Sequence, residues 1–132
     1  MSRPTYVYKL VPSSAPPPTP LPERLPLSFL DSSSGFIHLS TAPQVPGTLK
    51  YFFADDSSVY ILRVNYKAIE SDIRWEDPKA EVCGQRGDEG MFPHLYNGGR
   101  LGNNEIDSIQ HWEKDNAGWD TALQKAASWL VE

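Results

Sequence analysis

Hydrophobic and polar residues alternate in several short stretches of the 132-residue chain. Such alternation is typical of β-strands that bury one face. Residues 73–76 show it, and residues 105–112 show it less regularly, whereas residues 5–11 and 59–66 are predicted strands with apolar side chains on both faces. Residues 35–41, Gly-Phe-Ile-His-Leu-Ser-Thr, are predicted to form a further strand, with Phe36, His38 and Ser40 on one face.

Two stretches have the spacing of an amphipathic helix instead. Apolar side chains recur one helical turn apart in each of them: Val45, Leu49, Phe52 and Phe53 in the first, and Trp119, Leu123, Ala126, Ala127 and Leu130 in the second. The second pattern predicts a C-terminal helix over residues 116–131. Residues 31–34, Asp-Ser-Ser-Ser, are predicted to be a loop, because they are small and polar.

Seven prolines lie between residues 12 and 26. Proline fixes its own φ angle and lacks a backbone donor, so this segment is predicted to be a surface loop without helix or strand. Residues 79–90 are polar and rich in glycine, which predicts a mobile loop and a candidate lid. The order of elements favours one α+β domain over residues 1–132, with a mostly antiparallel or mixed sheet and few helices.

Composition narrows the classes of partner. The net charge is −5 and no basic run occurs, so we expect no binding of duplex nucleic acid. No run of about twenty apolar residues is present, so we expect no membrane span. The single cysteine, Cys83, cannot form an intramolecular disulfide, which favours a reducing compartment and makes the cytoplasm the default expectation. The oligomeric state is not predictable from these features.

Three polar residues lie inside short apolar segments: His38, Glu76 and His94. Buried polar groups need partners, so these side chains either satisfy one another or line a cleft that binds a ligand. The histidines and Cys83 lack the spacing of a zinc site, so no metal is expected. A nucleophilic pair of Cys83 and His94 is a further alternative.

The strand that carries His38 continues into a predicted helix start. Residues 41–44, Thr-Ala-Pro-Gln, fit a capping box. Free N–H groups at a helix start suit an anionic or phosphate-bearing ligand. The alternative is that Ser40 and Thr41 serve only to cap the helix.

Residues 35–41, the Gln-Val-Pro at 44–46, Arg74-Trp75-Glu76 and the Phe-Pro-His-Leu-Tyr at 92–96 together resemble domain-of-unknown-function family 952. The likeness covers residues 6–112. That family resembles the ADP-ribosyltransferase fold, which is a small split β-sheet whose active members grip NAD in a cleft. The resemblance implies an ADP-ribosyltransferase-like domain that transfers or binds an ADP-ribosyl or other nucleotide-like group, with NAD as the implied cofactor.

The same resemblance implies roles for individual residues, which we state as hypotheses. The catalytic set is His38, Glu76 and His94. Glu76 would stabilise positive charge as nicotinamide leaves, and Tyr96 would stack on a base. The ligand-binding set is Ser40, Thr41, Arg74 and Tyr96. Two other functions stay open: a non-catalytic module that binds a nucleotide-like small molecule, and an interaction protein that uses the proline-rich loop.

Overall fold

The structure is a computed structural model that describes residues 3–132. Within that range the strands are β1 Tyr6–Pro12, β2 Ile37–His38, β3 Ser58–Asn65, β4 Ile73–Glu76, β5 Phe92–Leu95 and β6 Ile106–Glu113. The helices are short: α1 Phe29–Ser34, α2 Val45–Phe52, α3 Tyr66–Ile69 and α4 Asp120–Lys125. The 3-10 turns Ala42–Gln44 and Glu70–Asp72 lie directly before α2 and after α3.

The strands form two three-stranded sheets, in the orders β1-β3-β6 and β2-β5-β4. All four strand pairs are antiparallel, so the predicted α+β class with antiparallel pairing is confirmed and the mixed alternative is not realised. The sheets meet where Tyr8 of β1 and Ser40 exchange two backbone hydrogen bonds of 2.8 Å. This junction fixes the small sheet against the large one.

The β1-β3-β6 sheet is the middle layer of the molecule. One face packs against the inner face of the small sheet, and the other packs against α2 and α4. Strand β3 is consequently buried on both sides, with Leu62 and Val64 in the first cluster and Val59 and Ile61 in the second. Burial of each such side chain contributes about 1.5–3 kcal/mol relative to exposure.

The proline-rich segment crosses the surface with neither helix nor strand over residues 13–27. Its last part is tied to the body of the protein, because Leu25 donates a backbone hydrogen bond to the Leu101 carbonyl at 2.8 Å. Gly102 allows this close approach. A β-carbon at that position would lie 2.2 Å from the Glu23 carbonyl oxygen.

The prediction of a loop at residues 31–34 is wrong, because α1 covers them. Ser28 caps the helix by accepting a hydrogen bond from the backbone N–H of Asp31 at 3.1 Å. Gly35 ends it with φ of 82°, a left-handed conformation that glycine adopts without strain. The two caps thus stabilise a helix that the small polar residues 31–34 do not predict.

One predicted helix is shorter in the structure, and the other buries fewer of the expected side chains. Helix α4 spans Asp120–Lys125 rather than 116–131, because Asp115 and Gly118 first close a turn with two backbone hydrogen bonds. In α2 the predicted face holds for Val45 and Leu49, but Phe52 is 65% exposed. Within residues 3–132, no helix combines the length and apolar character needed to cross a bilayer.

Candidate functional site

The outer face of the small β2-β5-β4 sheet carries a cluster of polar and aromatic side chains. Its inner face supplies Ile37, Trp75 and Leu95 to the core, so their sequence neighbours point the other way. We call these outer residues the polar cluster: Phe36, His38, Arg74, Glu76, His94 and Tyr96. The strand register places His38 directly opposite His94, and their imidazole centroids are 5.2 Å apart.

Glu76 is the buried carboxylate of the polar cluster, with 7% of its surface exposed. The Tyr96 hydroxyl donates a hydrogen bond of 2.5 Å to its Oε1 atom. Nδ1 of His94 lies 3.0 Å from the same oxygen. In the described part of the chain, no group donates a hydrogen bond to Oε2, so that oxygen is the one available to accept from a ligand.

His38 is held by a second carboxylate, Asp31 of α1. Nδ1 of His38 lies 2.7 Å from Oδ1 of Asp31, which also accepts the His38 backbone N–H at 3.2 Å. Lys9 of β1 donates to the other Asp31 oxygen at 2.5 Å and to the His38 carbonyl at 3.2 Å. The His38 side chain is 24% exposed. Its Nε2 has no hydrogen-bond partner among residues 3–132.

Phe36 lies at the centre of the polar cluster. Its ring centroid is 4.4 Å from that of His94, 4.5 Å from that of His38 and 4.9 Å from that of Tyr96. Cζ of Arg74 lies 4.5 Å from the Tyr96 centroid. The Tyr96 ring, which we predicted to stack on a ligand base, is therefore already in contact with two protein side chains, Phe36 and Arg74.

Arg74 is the cation at the rim of the polar cluster. It is exposed, and within residues 3–132 no carboxylate lies within ion-pair distance of its guanidinium. An exposed guanidinium without a carboxylate partner can bind a phosphate through two parallel hydrogen bonds. The rim thus offers a site for an anionic group.

Burial shifts the pKa values of two residues of the polar cluster, His94 and Tyr96. It lowers the pKa of His94 below its usual value of 6.5, against the opposing hydrogen bond with Glu76. His94 is therefore neutral at pH 7 and donates its Nδ1 proton to Glu76. Burial and the bond to Glu76 raise the pKa of Tyr96 to about 12, so the hydroxyl keeps its proton.

Asp31 is ionised at neutral pH. Burial alone would raise its pKa, but the hydrogen bond from His38 and the charge of Lys9 outweigh burial and hold the pKa below its usual 3.8. Burial lowers the pKa of Lys9, and the Asp31 charge opposes that effect. A negative carboxylate therefore faces Nδ1 of His38.

Ser40 and Thr41 form bonds to residues outside the polar cluster. Ser40 is 4% exposed, and its hydroxyl lies 3.0 Å from Oγ1 of Thr48. The backbone N–H of Thr41 donates to Oε1 of Gln44 at 2.9 Å, which is one half of the predicted capping box. Both residues therefore support the strand end that carries His38.

Two surface clefts lie elsewhere on the molecule. One, of about 500 Å³, is bounded by β6 and α4 and includes His111 and Lys125. The other, of about 600 Å³, lies between α2 and the start of α4 and includes Tyr51 and Trp119. Neither is lined by the polar cluster, so the candidate site is a sheet face rather than one of these clefts.

Other candidate chemistry is limited in the part of the chain that the structure describes. No group of three His, Cys, Asp or Glu side chains there could hold a metal ion. Cys83 is a free, exposed thiol in the loop after β4, where it forms an isolated backbone bridge with Glu76.

Sequence reasoning missed three residues of this region: Lys9, Asp31 and Phe36. The signal for Asp31 was the pair of caps, Ser28 before it and Gly35 after it, which marks a short helix. Lys9 lies in the predicted strand at residues 5–11, where nothing in the sequence marks it for a role. Phe36 was predicted to share a strand face with His38, but its ring contacts were not predicted.

Solved structures of protein CC0527 from Caulobacter crescentus share this fold. A crystal structure of it has 24% sequence identity, with 87% of this chain and 92% of that chain covered and a TM-score of 0.64. A solution NMR structure also has 24% identity, with 94% and 98% covered and a TM-score of 0.65. At this identity the similarity shows the fold alone.

No protein with a curated description matches the chain. The sequence profile of a family described as "Protein of unknown function (DUF952)" matches residues 23–109. The match includes every residue of the polar cluster, together with Asp31. The chain therefore belongs to the DUF952 family.

Proposed function

We propose that the polar cluster binds a ribose- and phosphate-bearing ligand, such as NAD, and that the protein transfers an ADP-ribosyl group. One observation carries the proposal. The Oε1 atom of buried Glu76 is held by Tyr96 and His94, whereas Oε2 accepts no hydrogen bond within residues 3–132. A carboxylate fixed in such surroundings can stabilise positive charge that develops on a substrate.

In this reaction the bond between ribose C1′ and the nicotinamide nitrogen breaks. Nicotinamide leaves with the bonding electron pair, and C1′ acquires positive charge. An acceptor nucleophile then bonds to C1′ and releases its proton to solvent or to a base. Glu76 offsets the positive charge at C1′, while Arg74 binds a phosphate and Nε2 of His38 binds a ribose hydroxyl.

The proposal also draws on the resemblance to the ADP-ribosyltransferase-like fold. In that fold a strand leads into a helix and a glutamate on a later strand contacts the ribose. Here β2 leads through Ser40 and Thr41 into α2, and Glu76 ends β4. Fold alone does not define function, so the proposal depends on the chemistry at Glu76.

Release of nicotinamide from excess NAD tests the proposal. Glu76→Gln should reduce the rate by about 10²–10³-fold, because it removes the charge while keeping the shape. Glu113→Gln is the matched control, since Glu113 is exposed on β6 and outside the polar cluster. No release by the wild type, or equal rates for wild type and Glu76→Gln, would contradict transfer.

A non-catalytic binding module is the second candidate. The observation that favours it is the burial of His94, which is 1% exposed and so positioned to hold Glu76 rather than to move protons for a substrate. Binding without turnover would raise the unfolding free energy by about 2.7 kcal/mol at a ligand concentration 100 times its dissociation constant. Stabilisation by ADP-ribose without nicotinamide release would identify this case.

We also infer a cytoplasmic location for this activity. Cys83 is exposed and has no disulfide partner, and such a thiol persists in a reducing compartment. The ligand class is a small molecule, because the chain has a net charge of −5 and no basic run for duplex nucleic acid.

A further inference from the structure

Asp31 is a buried carboxylate to which the proposed reaction gives no role. It is 3% exposed, although ionised carboxylates are rarely buried without a compensating partner. Both of its oxygens are engaged, Oδ1 by the backbone and side chain of His38 and Oδ2 by Lys9. Groups from three elements, α1, β1 and β2, thus meet at Asp31.

We propose that Asp31, supported by Lys9, is the positioning residue of His38. It holds the neutral imidazole as the Nδ1–H tautomer, so that Nε2 presents a lone pair to the ligand. The ligand group at His38 is then a hydrogen-bond donor, namely a hydroxyl. The identity of the ligand rests on the proposed function, whereas the tautomer is a property of the free protein.

The chemistry of the two partners determines the tautomer. An ionised carboxylate can only accept a hydrogen bond, and Lys9 can only donate one. Nδ1 of His38 must therefore carry the proton that Asp31 accepts. A neutral imidazole then has only Nε2 left, as an acceptor. Phosphate oxygens are acceptors too, so a phosphate belongs at Arg74 and a hydroxyl at His38.

The ¹⁵N chemical shifts of the imidazoles report the tautomer directly, at about pH 8.5, where an ordinary histidine is neutral. We expect Nδ1–H for both His38 and His94 in the wild type. His94 is an internal control, because Glu76 rather than Asp31 accepts its proton. A wild-type spectrum with His38 as Nε2–H would overturn the proposal. Because the measurement uses the wild-type protein, it does not depend on the folding of a variant.

Asp31→Asn should reverse the tautomer of His38. Lys9 can only donate and would take the amide oxygen, which turns the amide N–H₂ group towards His38. Nδ1 would then accept and Nε2 would carry the proton, while the His38 backbone N–H would lose its bond to residue 31. His94 should keep its Nδ1–H form in this variant. Glu76→Gln is a second control. It leaves Asp31 unchanged, so His38 should keep its Nδ1–H form in this variant. An unaltered His38 tautomer in folded Asp31→Asn protein would overturn the proposal.

Binding of two probes tests the hydroxyl assignment. His38→Asn keeps a donor near Asp31 but removes Nε2, so it should weaken ADP-ribose binding roughly tenfold while inorganic diphosphate binds as before. Arg74→Gln should weaken both probes. Equal losses for the two probes in His38→Asn would contradict the hydroxyl assignment. Failure of wild type to bind ADP-ribose would instead contradict the proposed function and leave the tautomer result standing.

Discussion

His38 and His94 form one antiparallel register pair of β2 and β5, with ring planes 61° apart and centroids separated by 5.2 Å. Each directs Nδ1 to a carboxylate from another element, Asp31 of α1 in one case and Glu76 of β4 in the other. The pair differs in exposure, because the His38 side chain is 24% exposed and that of His94 only 1%. In the proposed function, His38 is therefore the residue that contacts the ligand, and His94 holds Glu76.

Replacing Tyr96 by phenylalanine should lower the free energy of unfolding by about 1–3 kcal/mol, because the hydrogen bond to buried Glu76 is lost. The ring remains, so contacts with Phe36 and Arg74 persist. Urea denaturation at pH 7 measures the effect. Tyr51→Phe is the control, since Tyr51 is 75% exposed and should change stability by less than about 0.5 kcal/mol. Equal stability of the two variants would contradict the role of the Tyr96 hydroxyl.

Tyr96 should also make the protein sensitive to alkali. Its pKa is raised from 10.0 to about 12, so the folded state retains a proton that the unfolded state releases. The contribution to stability is complete below pH 10 and declines as the pH rises towards 12. Urea midpoints over this range should fall more steeply for wild type than for Tyr96→Phe. Parallel curves would count against a raised pKa.

Acid should weaken the protein through two groups. The pKa of His94 lies below 6.5 in the folded state, so the unfolded state binds more protons and stability falls as the pH drops below about 6.5. The lowered pKa of Asp31 adds a further loss below its usual 3.8. Urea midpoints between pH 8 and pH 5 should decline less in His94→Gln. His111→Gln is the control, because His111 is exposed and lies outside the polar cluster.

Gly102→Ala should destabilise the protein by about 1–3 kcal/mol, because its β-carbon meets backbone atoms of the proline-rich segment. Gly47→Ala is the matched control. Gly47 lies in α2 with open space around it, and alanine there should stabilise the helix by about 0.5–1 kcal/mol. Thermal unfolding of both variants measures the difference. A neutral Gly102→Ala would show that the segment does not pack closely on the body.

The strands were predictable because strand-forming residues recur in short runs. Residues 59–66 form the clearest of these runs, and β3 covers Ser58–Asn65. Helix ends were less predictable, since they depend on single capping residues and local turns. Gly118, with φ of 78°, lies in the turn before α4, so the helix begins later than predicted. The pattern of apolar residues does not indicate this later start.

The polar cluster was partly predictable for a similar reason. Glu76 and His94 interrupt apolar runs, and a polar residue in such a run needs a partner. The identity of the partner was not predictable, because Asp31 and His38 meet only after α1 folds back beside β2. The role of Phe36 depends on ring contacts with His38 two residues away and with His94 and Tyr96 at the neighbouring strand β5, and these last two contacts are not local in sequence.

The most direct test of the account is a paired measurement on His38→Asn by urea denaturation and calorimetric titration with ADP-ribose. If His38 contacts the ligand, the variant should keep a urea midpoint close to that of wild type, because its amide retains a donor for Asp31. Its affinity for ADP-ribose should fall roughly tenfold, the equivalent of one lost hydrogen bond of about 1.4 kcal/mol. A strongly destabilised variant that binds ADP-ribose as tightly as wild type would contradict the account and make His38 a structural residue.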